Sequence, residues 1–153
     1  MAKTYQAPYY VRVANLLTTT LLRAGLPIRG PYIFFGKYRI YLLMVRGRKS
    51  GQMRRVPVAL LERNGKRYVA SPFGRVNWAL NLRAAGEARL SRGRKEETVV
   101  ARELPSAEAA LVMREEVKDG HPFAHTFGVT ADSSLEEFER AVIGHSLFEL
   151  ENK

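Results

Sequence analysis

The chain contains no cysteine. Disulfides and thiolate metal centres are thereby excluded, and the composition suits a reducing compartment. Histidine is scarce: His121, His125 and His145 are too few and too late in the chain to suggest a zinc site, so no metal is expected. No serine precedes Ser50, which argues against a serine-rich transit peptide, and no clean apolar core follows Lys3, which argues against a secretory signal. Apolar stretches are too short and too interrupted to span a bilayer. These absences point to a mature cytoplasmic chain. The last absence is of negative charge. No Asp or Glu occurs before Glu62.

That gap is matched by an excess of the opposite sign. Eleven of the 25 Lys and Arg residues precede Glu62; the 14 that remain face all 15 acids, so the net charge of +10 resides in the N-terminal two-fifths. Such asymmetry predicts an anionic partner: nucleic acid, a membrane surface or a phosphorylated small molecule. The 153 residues, 46% of them hydrophobic, suggest one globular domain able to bury about 68–70% of the surface of its unfolded chain.

Residues 9–25 (YYVRVANLLTTTLLRAG) have helical periodicity. Val13, Leu17, Thr20, Leu21 and Ala24 form an apolar stripe, with Arg12, Asn15, Thr19 and Arg23 opposite. Gly25, Pro27, Gly30 and Pro31 end the helix and make a linker. Two roles fit: packing on the domain, or lying on an anionic membrane face. The division expected is therefore a helix and linker over residues 1–31, then a domain over 32–153.

Strands are expected over 38–46, apolar on both faces, over 54–63, where Pro57 marks an edge or bulge, and over 66–73, with a hairpin at Asn64-Gly65. A helix over 77–86 takes Asn77 as N-cap and Gly86 as its C′ residue. A second hairpin joins 87–92 to 96–103 around Gly93. A helix covers 106–120, opening on Ser106 as capping candidate, and its Glu115 and Glu116 read as surface charges. A polar stretch reaches about residue 131. A last helix spans 133–144, and a strand spans 145–151. Short antiparallel strands with few helices predict an α+β fold built on a small barrel.

Between the first two strands, Arg46, Arg48, Lys49, Arg54 and Arg55 crowd around the turn Arg48-Lys49-Ser50-Gly51-Gln52. Arginine offers a planar fork suited to phosphate, lysine a point charge, and Ser50 with the turn amides neutral donors. The pattern suits an anion held against a protein wall; a solvated hairpin tip fits it equally. It is not a P-loop, because neither the glycine spacing nor a following helix is present.

The runs RGRKSGQMRRVPV, NGKRYVAS and NWALNLRA, with EARL and VVARE, resemble the deazaflavin-dependent nitroreductase family over about residues 38–116. The resemblance implies a mainly antiparallel split β-barrel of the FMN-binding-like kind, helices packed outside, and coenzyme F(420), an 8-hydroxy-5-deazaflavin hydride carrier, as cofactor. It implies that Arg48, Lys49, Ser50 and Gln52 in the turn, with Arg54 and Pro57 at the start of the next strand, hold the phosphate and acidic tail. Ser71 matches the strand end beside the ring, and Trp78 and Asn81 match the helix motif. The loop PFGRVN, with Phe73 and Arg75, is shorter than the family's glycine-rich loop. The stretch HPFAHTFGV lacks the tyrosines that the family's nitroreductases carry near their substrate, so acceptor identity does not carry over. Phe73 is retained among the cofactor-binding candidates.

No nucleophile–base pair or paired carboxylates are evident, which hydride transfer tolerates because the cofactor carries the reactive carbon. His125 and Tyr68 are the candidate proton donors. The expected function is an F(420)-dependent oxidoreductase moving a hydride between reduced cofactor and a flat hydrophobic acceptor: a quinone, enone or nitroaromatic. Alternatives are an FMN-dependent reductase of the same fold and a non-catalytic carrier of cofactor or lipophile. A nucleic-acid groove using Tyr38, Tyr41 and Tyr68 is not expected, since those tyrosines lie in apolar runs. Peripheral contact with the inner face of the membrane through the first helix, and a monomer or homodimer, complete the expectations.

Overall fold

A computed structural model of the protein describes residues 9–24, 39–121 and 124–153. Six antiparallel strands, β1 (Arg39–Arg46), β2 (Met53–Arg63), β3 (Lys66–Ala70), β4 (Glu87–Arg92), β5 (Lys95–Glu103) and β6 (Leu147–Asn152), close into a barrel in the order β1-β2-β3-β6-β5-β4. Around it stand α1 (Tyr9–Arg23), α2 (Asn77–Ala85), α3 (Ser106–Lys118) and α4 (Leu135–Gly144), with a 3-10 turn at Ala124–Phe127. The expected 25–31 linker, the 31/32 domain boundary, Tyr38 and the pair 122–123 lie outside the described residues.

Period-two alternation sorts the strand side chains. Leu43, Val45, Val58, Leu60, Val69, Leu90, Val99, Phe148 and Leu150 fill the barrel, and Ala79 and Leu82 of α2 join them, so α2 caps one end. The outward face of β1 is buried as well, through Ile40, Leu42 and Met44, as an apolar-on-both-faces strand requires. A second core on the outer surface joins Ala70 and Leu147 to Ala110, Met113, Phe127, Phe138 and Val142, which holds α3 and α4 against β3 and β6.

Local chemistry closes the connections. Asn64 and Gly65, both at positive φ (52° and 73°), make the β2–β3 hairpin. Gly86 ends α2 at φ 69°, its N–H donating to the Leu82 carbonyl. β2 pairs with β3 only from Leu60 onward, so Pro57 sits where the other edge of β2 is open and a residue without an N–H is tolerated. The third strand ends at Ala70, three residues earlier than expected. Ser106 does not cap α3; Pro105 occupies that position and makes no side-chain cap.

Helix α1 lies against β1 and β2, but turned the other way from the expected packing. Leu17 (60% exposed), Leu16 (67%) and Leu21 (45%) face outward, whereas Asn15, Thr18 and Thr19 are half-buried. Periodicity reveals that a helix has an apolar stripe; it does not reveal which surface covers it. No helix among the described residues is long and apolar enough to cross a membrane.

Candidate functional site

The basic turn is built tightly. The Gly47 N–H donates to the Gln52 carbonyl and the Gly51 N–H to the Gly47 carbonyl, each at 2.8 Å. The Gln52 N–H donates to Ser50 Oγ at 3.3 Å. Gly51 sits at φ 68°, where a side chain would strain the backbone. A Cβ on Gly47 would stand 2.8 Å from Ser50 Oγ and 3.2 Å from the Gln52 carbonyl, so this position admits only glycine without distortion.

Helix α2 meets the turn from the side. Val76, not Asn77, occupies its N-cap, with no side-chain cap. Asn77 is the first helical residue, and its side chain is used elsewhere: its Oδ1 accepts from Arg48 Nη1 at 3.5 Å and Nη2 at 3.4 Å. One turn on, on the same face, buried Asn81 accepts from the Arg48 backbone N–H at 3.2 Å and from Arg48 Nη1 at 2.8 Å. Two amide oxygens thus hold one guanidinium. The 71–76 loop leading into α2 is clamped in turn. Ser71 Oγ donates to the Gly74 carbonyl, Thr126 Oγ1 donates to the Pro72 carbonyl, and His145 Nδ1 meets the Ser71 carbonyl at 2.8 Å.

Between turn and helix opens a groove of about 540 Å³, bordered by Arg48, Lys49, Ser50, Arg54 and Arg55 on the strand side and by Asn77, Trp78 and Asn81 on the helix side. No described carboxylate pairs with its four cations. Elsewhere arginines find acids: Arg63 with Glu115 and Asp119, Arg67 with Glu97, Arg83 with Glu103 and Arg102 with Glu149. A larger hollow of about 600 Å³ lies at the opposite end of the barrel around Arg63, Lys66 and Arg67. Its cations are matched by carboxylates and leave little net field for an anion. Trp78, half-buried, packs on the barrel core with its ring tilted 51° to Phe148 at 6.4 Å, giving the groove a flat apolar wall.

Of the residues singled out in the sequence, Arg48, Lys49, Ser50, Arg54 and Trp78 border this groove. Gln52 closes the turn beneath it, and Pro57 lies further along β2, opposite Leu42. Ser71 is fully buried with its hydroxyl engaged, and Phe73 is half-buried in the clamped loop. Tyr68 lies on the outer face of β3 beside the second core; burial first, and then Glu149, raise its pKa. His125 is exposed on the 3-10 turn. Sequence reasoning placed Arg55 in the basic cluster and Asn81 in the helix motif without counting either among the cofactor-binding candidates, and read Asn77 only as an N-cap. The signal for the asparagines was their i, i+4 spacing around Trp78.

The expectation for Glu116 fails. Glu115 faces Arg63 at the surface, but Glu116 is 1% exposed, with Oε2 3.7 Å from Nε2 of buried His121. Burial pushes the Glu116 carboxyl up to about 8, against a smaller opposing pull from Arg63, and pushes His121 down to about 4. At pH 7 the contact is therefore between two neutral groups, not an ion pair. The spacing on α3 carried the signal: Glu116 lies three residues after Met113 and seven after Ala109, on the buried stripe of the helix, and only its charged side chain argued for the surface.

Comparison with known proteins bears on the family and the fold. The profile of F(420)H(2)-dependent quinone reductases matches residues 30–126. No curated protein sequence matches the chain. Among solved structures, an F(420)-H(2) dependent reductase (FDR-A) is 26% identical, with TM-score 0.53, over 73% of this chain and 93% of the other. A protein described as a domain-swapped dimer is 24% identical, with TM-score 0.55, over 93% and 97% of the two chains. A putative pyridoxamine 5'-phosphate oxidase from Listeria innocua shares the fold at 9% identity, with TM-score 0.51, over 74% and 83%.

Proposed function

The chain belongs to the F(420)H(2)-dependent quinone reductase family, and from this we propose that the groove between the basic turn and α2 holds the anionic tail of coenzyme F(420). The protein is an F(420)-dependent reductase acting on a quinone-type acceptor. The observation that carries the assignment of the groove is its set of four cations, none of them paired with a described carboxylate, beside the face of Trp78.

The residues fit the group. A tail of phosphate and carboxylates needs several cations at once, and Arg48, Lys49, Arg54 and Arg55 border one groove with Ser50 and the turn amides as neutral donors. A deazaflavin ring needs an apolar flank, which Trp78 and Val56 supply. When bound, the coenzyme supplies a hydride. The protein's part would be to hold the tail with Arg48, Lys49, Arg54 and Arg55 and to flank the ring with Trp78 and Val56.

The outward face of α1 supports a further element of this reading. Leu16, Leu17 and Leu21 with exposed Arg12 and Arg23, and no acid, suit contact with an anionic lipid surface from which a lipophilic quinone is delivered. In this reading residues 1–31 serve delivery and 32–153 the chemistry.

The test is equilibrium binding of F(420), FMN and a single-stranded oligonucleotide, side by side at physiological salt. F(420) is expected to bind tightest. Tighter FMN binding, or FMN co-purifying with the protein, would replace the cofactor; tighter oligonucleotide binding would replace the function.

A further inference from the structure

The acceptors around Arg48 are neutral. Elsewhere in the described structure, exposed arginines such as Arg83 and Arg102 are oriented by carboxylates, at 2.6 and 3.0 Å, which fix the guanidinium and cancel its charge together. Arg48 is oriented by Oδ1 of Asn81 at 2.8 Å and Oδ1 of Asn77 at 3.4–3.5 Å. An amide oxygen aims the fork without neutralising it. Asn81 is also 5% exposed, and its Oδ1 takes the Arg48 backbone N–H, so one buried atom fixes both the main chain of the turn and its first cation.

We propose that Asn81 is a positioning residue that holds Arg48 pre-aimed and fully charged for an anionic group in the groove, and that the amide, in place of a carboxylate, is what makes the site anion-binding. The inference rests on the groove holding the F(420) tail and adds a residue and a mechanism to it. Three features support it independently. Asn81 and Asn77 lie one turn apart on the same face, so both reach the same guanidinium. The 71–76 loop before α2 is clamped by Thr126 and His145, so the end of the helix that carries Asn77 and Asn81 is anchored. The turn is closed on itself by the Gly47–Gln52 and Gly51–Gly47 backbone bonds at 2.8 Å, so Arg48 meets Asn81 from a main chain that is already fixed.

The discriminating variant is Asn81→Asp. Aspartate is close to isosteric, retains the acceptor for both Arg48 donors and adds a negative charge. A purely structural role for Asn81 predicts that Asn81→Asp restores what Asn81→Ala loses. The positioning role predicts that it does not. Wild type, Asn81→Ala and Asn81→Asp are compared in thermal melts and in titrations with two probes, F(420) and inorganic pyrophosphate, at two salt concentrations; steady-state kinetics with a soluble quinone follow. The expected pattern is Asn81→Asp melting closer to wild type than Asn81→Ala does. Its affinity for both probes falls about tenfold or more, and its salt dependence is shallower. KM for the reduced cofactor rises in proportion while kcat stays within about twofold. Wild-type affinity in Asn81→Asp for pyrophosphate and F(420) would overturn the inference. Weak F(420) binding by wild type, with pyrophosphate still distinguishing the variants, would overturn the cofactor reading and leave the role of Asn81 supported. Pyrophosphate failing to bind wild type as well would overturn both.

Discussion

Replacing Glu116 by Gln should change the pH dependence of stability in a way the buried pair specifies. Glu116 ordinarily titrates at 4.5 and is held at about 8 in the fold; His121 ordinarily titrates at 6.5 and is held at about 4. Between pH 4.5 and 6.5 the folded state keeps a proton on Glu116 that the unfolded chain has lost, so stability falls with pH. Over the same interval the unfolded chain keeps a proton on His121 that the fold has shed, so stability rises. Each slope is about 1.4 kcal/mol per pH unit, and the two cancel. Above 6.5 the histidine no longer contributes, and only the Glu116 slope remains, down to pH 8. The wild type should therefore lose about 2 kcal/mol between pH 6.5 and 8. Glu116→Gln, which cannot ionise, should stay level across that window. Urea unfolding in half-unit steps from pH 5.5 to 8.5 on both proteins measures it. A wild type that stays level above 6.5, or a Glu116→Gln protein that keeps the decline, would refute the reasoning.

Two further outcomes concern the groove and the outer helix. Lys49→Ala with Arg54→Ala should weaken F(420) binding at least about tenfold while shifting stability by no more than about 0.5 kcal/mol, because both side chains are exposed and neither is paired with a described carboxylate; titrations and melts on the same samples separate the two effects. Leu17→Glu with Leu21→Glu should leave melting and F(420) affinity unchanged, since both face outward. It should abolish sedimentation with vesicles containing anionic lipid and lower turnover with long-tailed quinones more than with soluble ones. A matching loss with both acceptors would make the face part of the folded core or of a subunit contact.

The barrel was legible in the sequence because its signals are local: the unbroken apolar run of β1, the Asn64-Gly65 turn and the Gly86 helix stop each act through neighbouring residues. The basic turn was legible because charge clusters survive folding as clusters. What escaped depends on tertiary contact. Asn77 reads as an N-cap from its position, yet Arg48, 29 residues earlier, takes its oxygen. Glu116 reads as surface from its charge, although its spacing from Ala109 and Met113 puts it on the buried stripe of α3, where His121 meets it. The stripe on α1 was found and its direction was not, since periodicity within a helix does not say which neighbouring surface covers it. The residue that ties the site together, Asn81, was visible only as part of a motif, because its work is done on a main-chain amide whose position no side-chain pattern encodes.

The most direct test of the account is a crystal structure of the full chain with F(420) bound. The account predicts the phosphate and carboxylates of the tail within hydrogen-bond distance of Arg48, Lys49, Ser50 and Arg54, with Arg48 still held by Asn81. A tail lying in the hollow around Arg63, Lys66 and Arg67 at the other end of the barrel, or a basic turn left facing solvent, would contradict it.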